Sequence, residues 1–193
     1  MTAAGLQSKV HAWNEFGDAM PFAISIKCIN ATASPIMALW DEASGFEEAA
    51  SMSGLRYPPH LTLAVLDKEP ENASEIFKEV FAGQSPLSIS FESVGYFENE
   101  YLVLWARPNH IDALLNLHAS LHRHLDPGAC HEHYRVGQWV PHCSLATKIP
   151  SSRRQQAMEW AQQKRLAVSV DFEVADLVRF PPVVVRRECK LRA

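Results

Sequence analysis

Hydrophobic and polar residues alternate along several short segments of the chain, whereas other segments repeat hydrophobic residues at helical spacing. Alternation at period two is typical of a strand with one buried face, and a spacing of three to four residues is typical of an amphipathic helix. With the apolar runs, these patterns predict strands over residues 22–30, 87–92, 101–106, 166–172 and 183–191.

The first predicted helix begins at Ser34, which serves as its N-cap, with Pro35 at the first helical position. Gly54 and the proline pair that follows it are expected to close this helix. Further helices are predicted over residues 72–83, 109–125 and 151–164. Because hairpins as well as helices join the strands, the pattern favours an α+β fold with antiparallel sheets over a doubly wound parallel sheet.

One six-residue phrase occurs twice, about eighty residues apart, and each copy leads into a predicted strand. The copy PHLTLA contains His60 and Thr62, and the copy PHCSLA contains His142 and Ser144. Residues i and i+2 of a strand project from the same face, so each copy presents one imidazole and one hydroxyl side by side. The repetition indicates two similar lobes within one domain over residues 22–193, preceded by a loose N-terminal arm over residues 1–21.

Two such pairs across a groove could divide the work of phosphodiester cleavage. A neutral imidazole takes a proton from the attacking hydroxyl or water, and a protonated imidazole gives one to the leaving oxygen. The hydroxyls of Thr62 and Ser144 could donate hydrogen bonds to the phosphoryl oxygens as negative charge develops there. We expect His60 to be the acid and His142 the base in this cleavage, although the near symmetry leaves the reverse assignment open.

The composition limits the partners. With a formal net charge of −4, the chain is not expected to grip long nucleic acid over a wide basic face, but a short or small phosphorylated substrate fits. No run reaches the roughly 18 apolar residues that span a bilayer, and the first twenty residues lack the apolar core of a signal peptide. We therefore predict a cytoplasmic monomer with no membrane contact and no obligate protein partner.

The two motifs, HLTL from His60 and HCSL from His142, resemble the paired HxTx motifs of the two-histidine (2H) phosphoesterases. Their flanks, YPP before the first and a Tyr, Gly and WVP before the second, are similar to the bacterial 2'-5' RNA ligase-like branch. The resemblance extends from about residue 22 to residue 191. The one departure is Ser144 where threonine is commoner, which keeps the hydroxyl donor.

This resemblance implies a two-lobed α+β fold in which two antiparallel sheets flank a central groove, with helices outside. It also implies metal-independent chemistry, without a cofactor, on 2',3'-cyclic phosphates or 2'-5' linkages at RNA ends or in nucleotides. His60 and His142 would be the catalytic pair, and Thr62 and Ser144 would bind the phosphate.

Other residues near the motifs are weaker candidates for substrate binding. Arg56, like Arg153 and Arg154, could contact a neighbouring phosphate or lie on the solvated surface. Tyr57, Tyr134 and Trp139 could stack on a base or pack within the lobes. These substrate-binding candidates are Arg56, Tyr57, Tyr134 and Trp139.

Two other classes of function remain open. A zinc hydrolase would draw on the cluster Cys130, His131, His133, His142 and Cys143, whose spacing matches no standard zinc pattern. His118 and His122 lie one helical turn apart, but His118 falls on an apolar stripe and is expected to pack in the core. A nucleotide- or RNA-binding module without turnover would need no matched acid and base.

Overall fold

The computed structural model describes residues 20–192, so that the predicted N-terminal arm, apart from its last two residues, lies outside the described residues. The strands are β1 (Phe22–Lys27), β2 (His60–Leu66), β3 (Leu87–Glu98), β4 (Leu102–Asn109), β5 (Cys143–Ile149), β6 (Arg165–Phe172), β7 (Val174–Arg179) and β8 (Val184–Lys190). The α-helices are α1 (Ser34–Ser44), α2 (Ser51–Gly54), α3 (Ala73–Ile76), α4 (Asp112–His122) and α5 (Arg154–Gln163), and a π-helix over Phe77–Phe81 continues α3. None of the helices in this part of the chain is long and apolar enough to cross a membrane.

The strands form two four-stranded sheets, with the order β2-β1-β7-β8 in the first and β5-β4-β3-β6 in the second. Every neighbouring pair is antiparallel, which confirms the predicted α+β architecture. The first hexamer starts one residue before β2 and the second starts two residues before β5, and each runs on into its strand. These two strands are edge strands of different sheets and pack against each other. The lobes are therefore joined along the two strands that carry the motifs.

Strand β7 was not predicted from the sequence. It follows β6 after a single residue, Glu173, although β6 belongs to the second sheet and β7 to the first. All its residues except the last are buried, and it lies between β1 and β8, so it lacks the alternation that marks a half-exposed strand. Asp176 also interrupts its apolar run.

The first helix differs from the prediction at both ends. A 3-10 turn over Ala31–Ala33 precedes it, and the side chain of Asn30, rather than Ser34, caps that turn by accepting from Thr32 N at 2.8 Å. Helix α1 then ends at Ser44, and Gly54 closes the separate short helix α2. The pattern merged the two helices because both bury residues in the same core and both pack on β5.

Candidate active site

The local backbone gives both motif histidines the same tautomer. His60 Nδ1 lies 3.0 Å from the carbonyl oxygen of Pro58, and His142 Nδ1 lies 2.7 Å from that of Val140. A carbonyl oxygen only accepts, so Nδ1 is the donor in each case. In the neutral ring Nε2 then carries a lone pair, which is the form a proton acceptor needs. A proline stands before each histidine and holds the residue before it, Pro58 or Val140, in an extended conformation. The carbonyl oxygen of that residue then faces the histidine ring.

Burial lowers the pKa values of both imidazoles. The pKa of His60 falls to about 4, mainly through burial; the hydrogen bond to Pro58 opposes this shift, and the charges of His142 and Lys27 add to it. Burial also lowers the pKa of His142, again opposed by a hydrogen bond, here to Val140. His60 begins β2 and His142 directly precedes β5, and these two strands pack against each other. Both imidazoles are neutral at pH 7 in this state.

The backbones of the two hydroxyl residues are held in matching ways. The carbonyl oxygen of Thr62 accepts from Trp139 Nε1 at 3.1 Å, and that of Ser144 accepts from Trp40 Nε1 at 2.9 Å. Each indole thus holds one motif strand by a hydrogen bond that comes from outside the sheet to which that strand belongs. The Thr62 hydroxyl is buried and accepts a long hydrogen bond from Ser25 Oγ at 3.5 Å.

A buried ionic cluster lies beside His60 on the first sheet. Lys27 is the cross-strand partner of His60, and Ser25 is the partner of both Thr62 and Asp176, so these side chains share one face of the sheet. Lys27 Nζ lies 2.8 Å from Asp176 Oδ2 and 2.5 Å from Glu188 Oε2. Burial opposes the charge of Lys27, but the hydrogen bonds and charges of the two carboxylates outweigh it and raise the ammonium pKa.

Tyr57 connects this cluster to His60. Its hydroxyl donates to both carboxylate oxygens of Asp176, at 2.7 and 2.8 Å, and its ring meets the His60 ring edge-on with centroids 4.8 Å apart. Lys27 Nζ lies 5.3 Å from the Tyr57 ring centroid. Sequence reasoning missed Lys27 and Asp176; the available signal was a charged residue next to apolar ones, Lys27 after Ile26 and Asp176 before Leu177.

The surroundings of His142 are aromatic instead. Phe97 and Trp105 stack with centroids 5.0 Å apart, and the His142 ring meets them edge-on at 5.2 and 6.0 Å. Gly95 faces Trp105 across the sheet, and a Cβ at this position would come within 2.5 Å of the indole ring. Only glycine leaves room for the indole at this place, so Gly95 helps to shape the wall beside His142.

A pocket opens beside His142. It is lined by Phe97, His133, Tyr134, Gln138, Trp139, Val140 and His142. Two of the predicted substrate-binding residues, Tyr134 and Trp139, therefore lie at this pocket. One face of Trp139 is covered by His118, whose ring stacks on it with centroids 4.1 Å apart and planes at 5°. The other two candidates lie elsewhere, since Tyr57 is buried beside His60 and Arg56 is exposed with a positive φ of 51°.

The other candidate residues make structural contacts. His118 Nε2 donates to the carbonyl oxygen of Tyr134 at 2.8 Å, and His122 Nε2 donates to that of Leu63 at 3.1 Å. The first bond holds a residue that lines the pocket, and the second holds strand β2. Arg153 donates to Gly45 O and Arg154 to Asn99 O, both at 2.6 Å.

The proposed zinc ligands are not gathered into one centre. The thiols of Cys130 and Cys143 are buried and their pKa values are raised, chiefly by that burial, whereas His131 and His133 lie with ring centroids 5.2 Å apart. Between residues 20 and 192, no three His, Cys, Asp or Glu side chains are arranged to hold a metal ion.

Two antiparallel sheets that carry a His–hydroxyl motif on adjoining edge strands define the class of the two-histidine phosphoesterases. The family model described as the 2'-5' RNA ligase superfamily matches residues 33–180, which is most of the chain. The protein therefore belongs to this superfamily, which confirms the resemblance seen in the motifs. Among curated protein sequences, none matches the chain.

Solved structures share this fold at low sequence identity. TT0787 of Thermus thermophilus is 18% identical, with a TM-score of 0.60, and the match covers 90% of this chain and 98% of that one. Escherichia coli LigT in complex with 3'-AMP is 12% identical, with a TM-score of 0.63 and coverage of 90% and 99%. Kluyveromyces marxianus Usb1 is 11% identical, with a TM-score of 0.53 and coverage of 86% and 96%.

Proposed function

We propose that the protein is a metal-independent phosphodiesterase that acts on 2',3'-cyclic phosphates or 2'-5' linkages at RNA ends or in nucleotides. The observation that carries this proposal is the matched pair of imidazoles, each with Nδ1 tied to the carbonyl two residues before it and Nε2 left for proton transfer. Membership in the superfamily supports phosphodiester chemistry. The structures of E. coli LigT with 3'-AMP, ATP and NADP+ support a nucleotide-like ligand.

In the proposed reaction, His60 is the base and His142 the acid, which reverses the assignment favoured by the sequence. The pKa of His60 is held near 4 by burial, helped by the charges of His142 and Lys27, so that its ring is the better candidate for the neutral form. His60 Nε2 takes a proton from water, and the water oxygen attacks phosphorus. His142 gives its proton to the ribose oxygen as its bond to phosphorus breaks. Thr62 and Ser144 donate to the phosphoryl oxygens.

The expected pH dependence of kcat/KM follows from these roles. Activity should rise with pH as the base His60 loses its proton near its pKa of about 4. It should fall as the acid His142 loses its proton, below the ordinary histidine value of about 6.5, because burial lowers this pKa as well. A profile of kcat/KM against pH checks this expectation. An alkaline limb well above pH 6.5 would contradict it.

A substrate panel tests the function itself. We expect turnover of 2',3'-cyclic mononucleotides or 2'-5' dinucleotides, and none of 3'-5' dinucleotides, with the rate unchanged by excess chelator. Tight binding of these compounds without turnover would instead indicate a binding module. Loss of turnover with chelator, restored by zinc, would indicate a metal site around His131 and His133. Product analysis by chromatography separates these outcomes.

A further inference from the structure

A phosphate ester brings negative charge into the groove, and Lys27, the cross-strand partner of His60, is already engaged. Lys27 is the charged group beside His60, but its ammonium lies against two carboxylates, Asp176 at 2.8 Å and Glu188 at 2.5 Å. Its side chain is also only 6% exposed. A positive charge already neutralised and enclosed in this way is poorly placed to bind substrate.

The second lobe carries a cation at the corresponding position. In the first lobe Lys27 stands opposite His60 on the neighbouring strand. In the second, Trp105 pairs with Ser144 and Ala106 with Cys143, so that the next position along β4, Arg107, falls beside His142. Residues i and i+2 of a strand project from the same face, and Arg107 therefore lies on the face of Trp105 and Ser144.

The environment of Arg107 differs from that of Lys27. Its side chain is exposed, and its guanidinium carbon lies 5.3 Å from the centroid of the Trp105 ring. Trp105 in turn meets His142 with ring centroids 6.0 Å apart. Because Gly95 and Phe97 hold the indole in place, its ring is a fixed platform for the guanidinium.

We propose that Arg107 binds the phosphate group of the substrate from the His142 side of the groove. This inference rests on the proposed function, which supplies the phosphate ester. A guanidinium offers two parallel N–H donors that match two phosphate oxygens, and it keeps its charge throughout the pH range of the reaction. Arg107 is thus a binding residue that orients the phosphorus between the two imidazoles.

Inorganic phosphate is a probe of this site that does not depend on turnover. Its dissociation constant, measured by calorimetry, is expected to rise about 10- to 100-fold in Arg107→Gln, the usual worth of a charge-assisted hydrogen bond. Arg107→Lys should recover part of the affinity, because it keeps the charge and loses the paired donors. The control is Arg123→Gln: Arg123 is also exposed, but it donates to Ser120 on α4 and should leave phosphate binding unchanged.

On a cyclic nucleotide substrate, Arg107→Gln should raise KM by a similar factor while kcat changes by only a few fold. Thermal unfolding should match the wild-type protein, because the replaced side chain is exposed. Wild-type affinity for phosphate in folded Arg107→Gln would overturn the proposal, as would failure of the wild-type protein to bind phosphate. If the wild-type protein binds phosphate through Arg107 but turns over no phosphodiester, the proposed activity fails while the binding role stands.

Discussion

Replacement of either motif histidine by alanine is expected to lower kcat by about 100-fold or more, the usual worth of general acid or base catalysis. Each ring has its Nδ1 proton held by a carbonyl, so that its Nε2 is the atom left for proton transfer. The double variant His60→Ala/His142→Ala should lose less than the product of the two single losses, because the two residues act as a unit. The kcat values of the two single variants and the double variant are measured by steady-state kinetics on a substrate that the panel has identified.

A substrate with an activated leaving group separates the two roles. Such a leaving group needs no proton, so it should restore activity to His142→Ala, which lacks the acid, and not to His60→Ala. Thr62→Ala and Ser144→Ala should cost less than either histidine, because the remaining donors share the phosphoryl charge. His124→Ala is the control, since His124 follows α4 and faces Glu79 at 3.5 Å. Full activity in either His60→Ala or His142→Ala would refute the two-histidine mechanism.

The second large effect is expected on stability, from Lys27→Met. This change leaves the carboxylate of Asp176 completely buried with Tyr57 as its remaining donor, whereas Glu188 is partly solvated. Removal of one partner of a buried ion pair usually costs about 3–5 kcal/mol, because the other charge is left uncompensated. Urea denaturation should show a loss of this size in the free energy of unfolding.

The double variant Lys27→Met/Asp176→Asn tests the cause. It removes both buried charges and keeps a side-chain oxygen that can accept from Tyr57, so it should be more stable than Lys27→Met alone. Loss of the cation should also raise the pKa of His60, which NMR titration of the imidazole would detect as a shift of its midpoint to higher pH. If Lys27→Met has the same free energy of unfolding as the wild type, the ion pair between Lys27 and Asp176 does not stabilise the fold.

The family and the fold class were the most predictable features of this chain. The paired hexamers placed His60 at the start of a strand and His142 directly before one, because the alternation that marks these strands is a local property of the sequence. The antiparallel α+β architecture also followed from local patterns. The catalytic roles of the two histidines remain predictions that the substrate panel and the variants will test.

The rest depends on contacts between distant parts of the chain. Lys27 meets Asp176 only because β7 inserts beside β1, and no local pattern indicated that strand. Trp139 was predicted to be a substrate-binding residue because it lies near the second motif. Its indole N–H donates to the carbonyl of Thr62 in the first motif, a contact that the sequence did not indicate. Arg107 stands beside His142 through the register of β4 and β5, which a single sequence does not reveal.

The order of strands in the first sheet has a consequence for biosynthesis. Strands β1 and β2 leave the ribosome early, but β7 and β8, which complete their sheet, leave it late. Until then β1 has an unpaired edge, and Lys27 lacks both Asp176 and Glu188. The nascent chain therefore carries His60 on an incomplete sheet for most of its translation. His60 precedes His142 in the sequence, but the sheet around it is the later of the two to be completed.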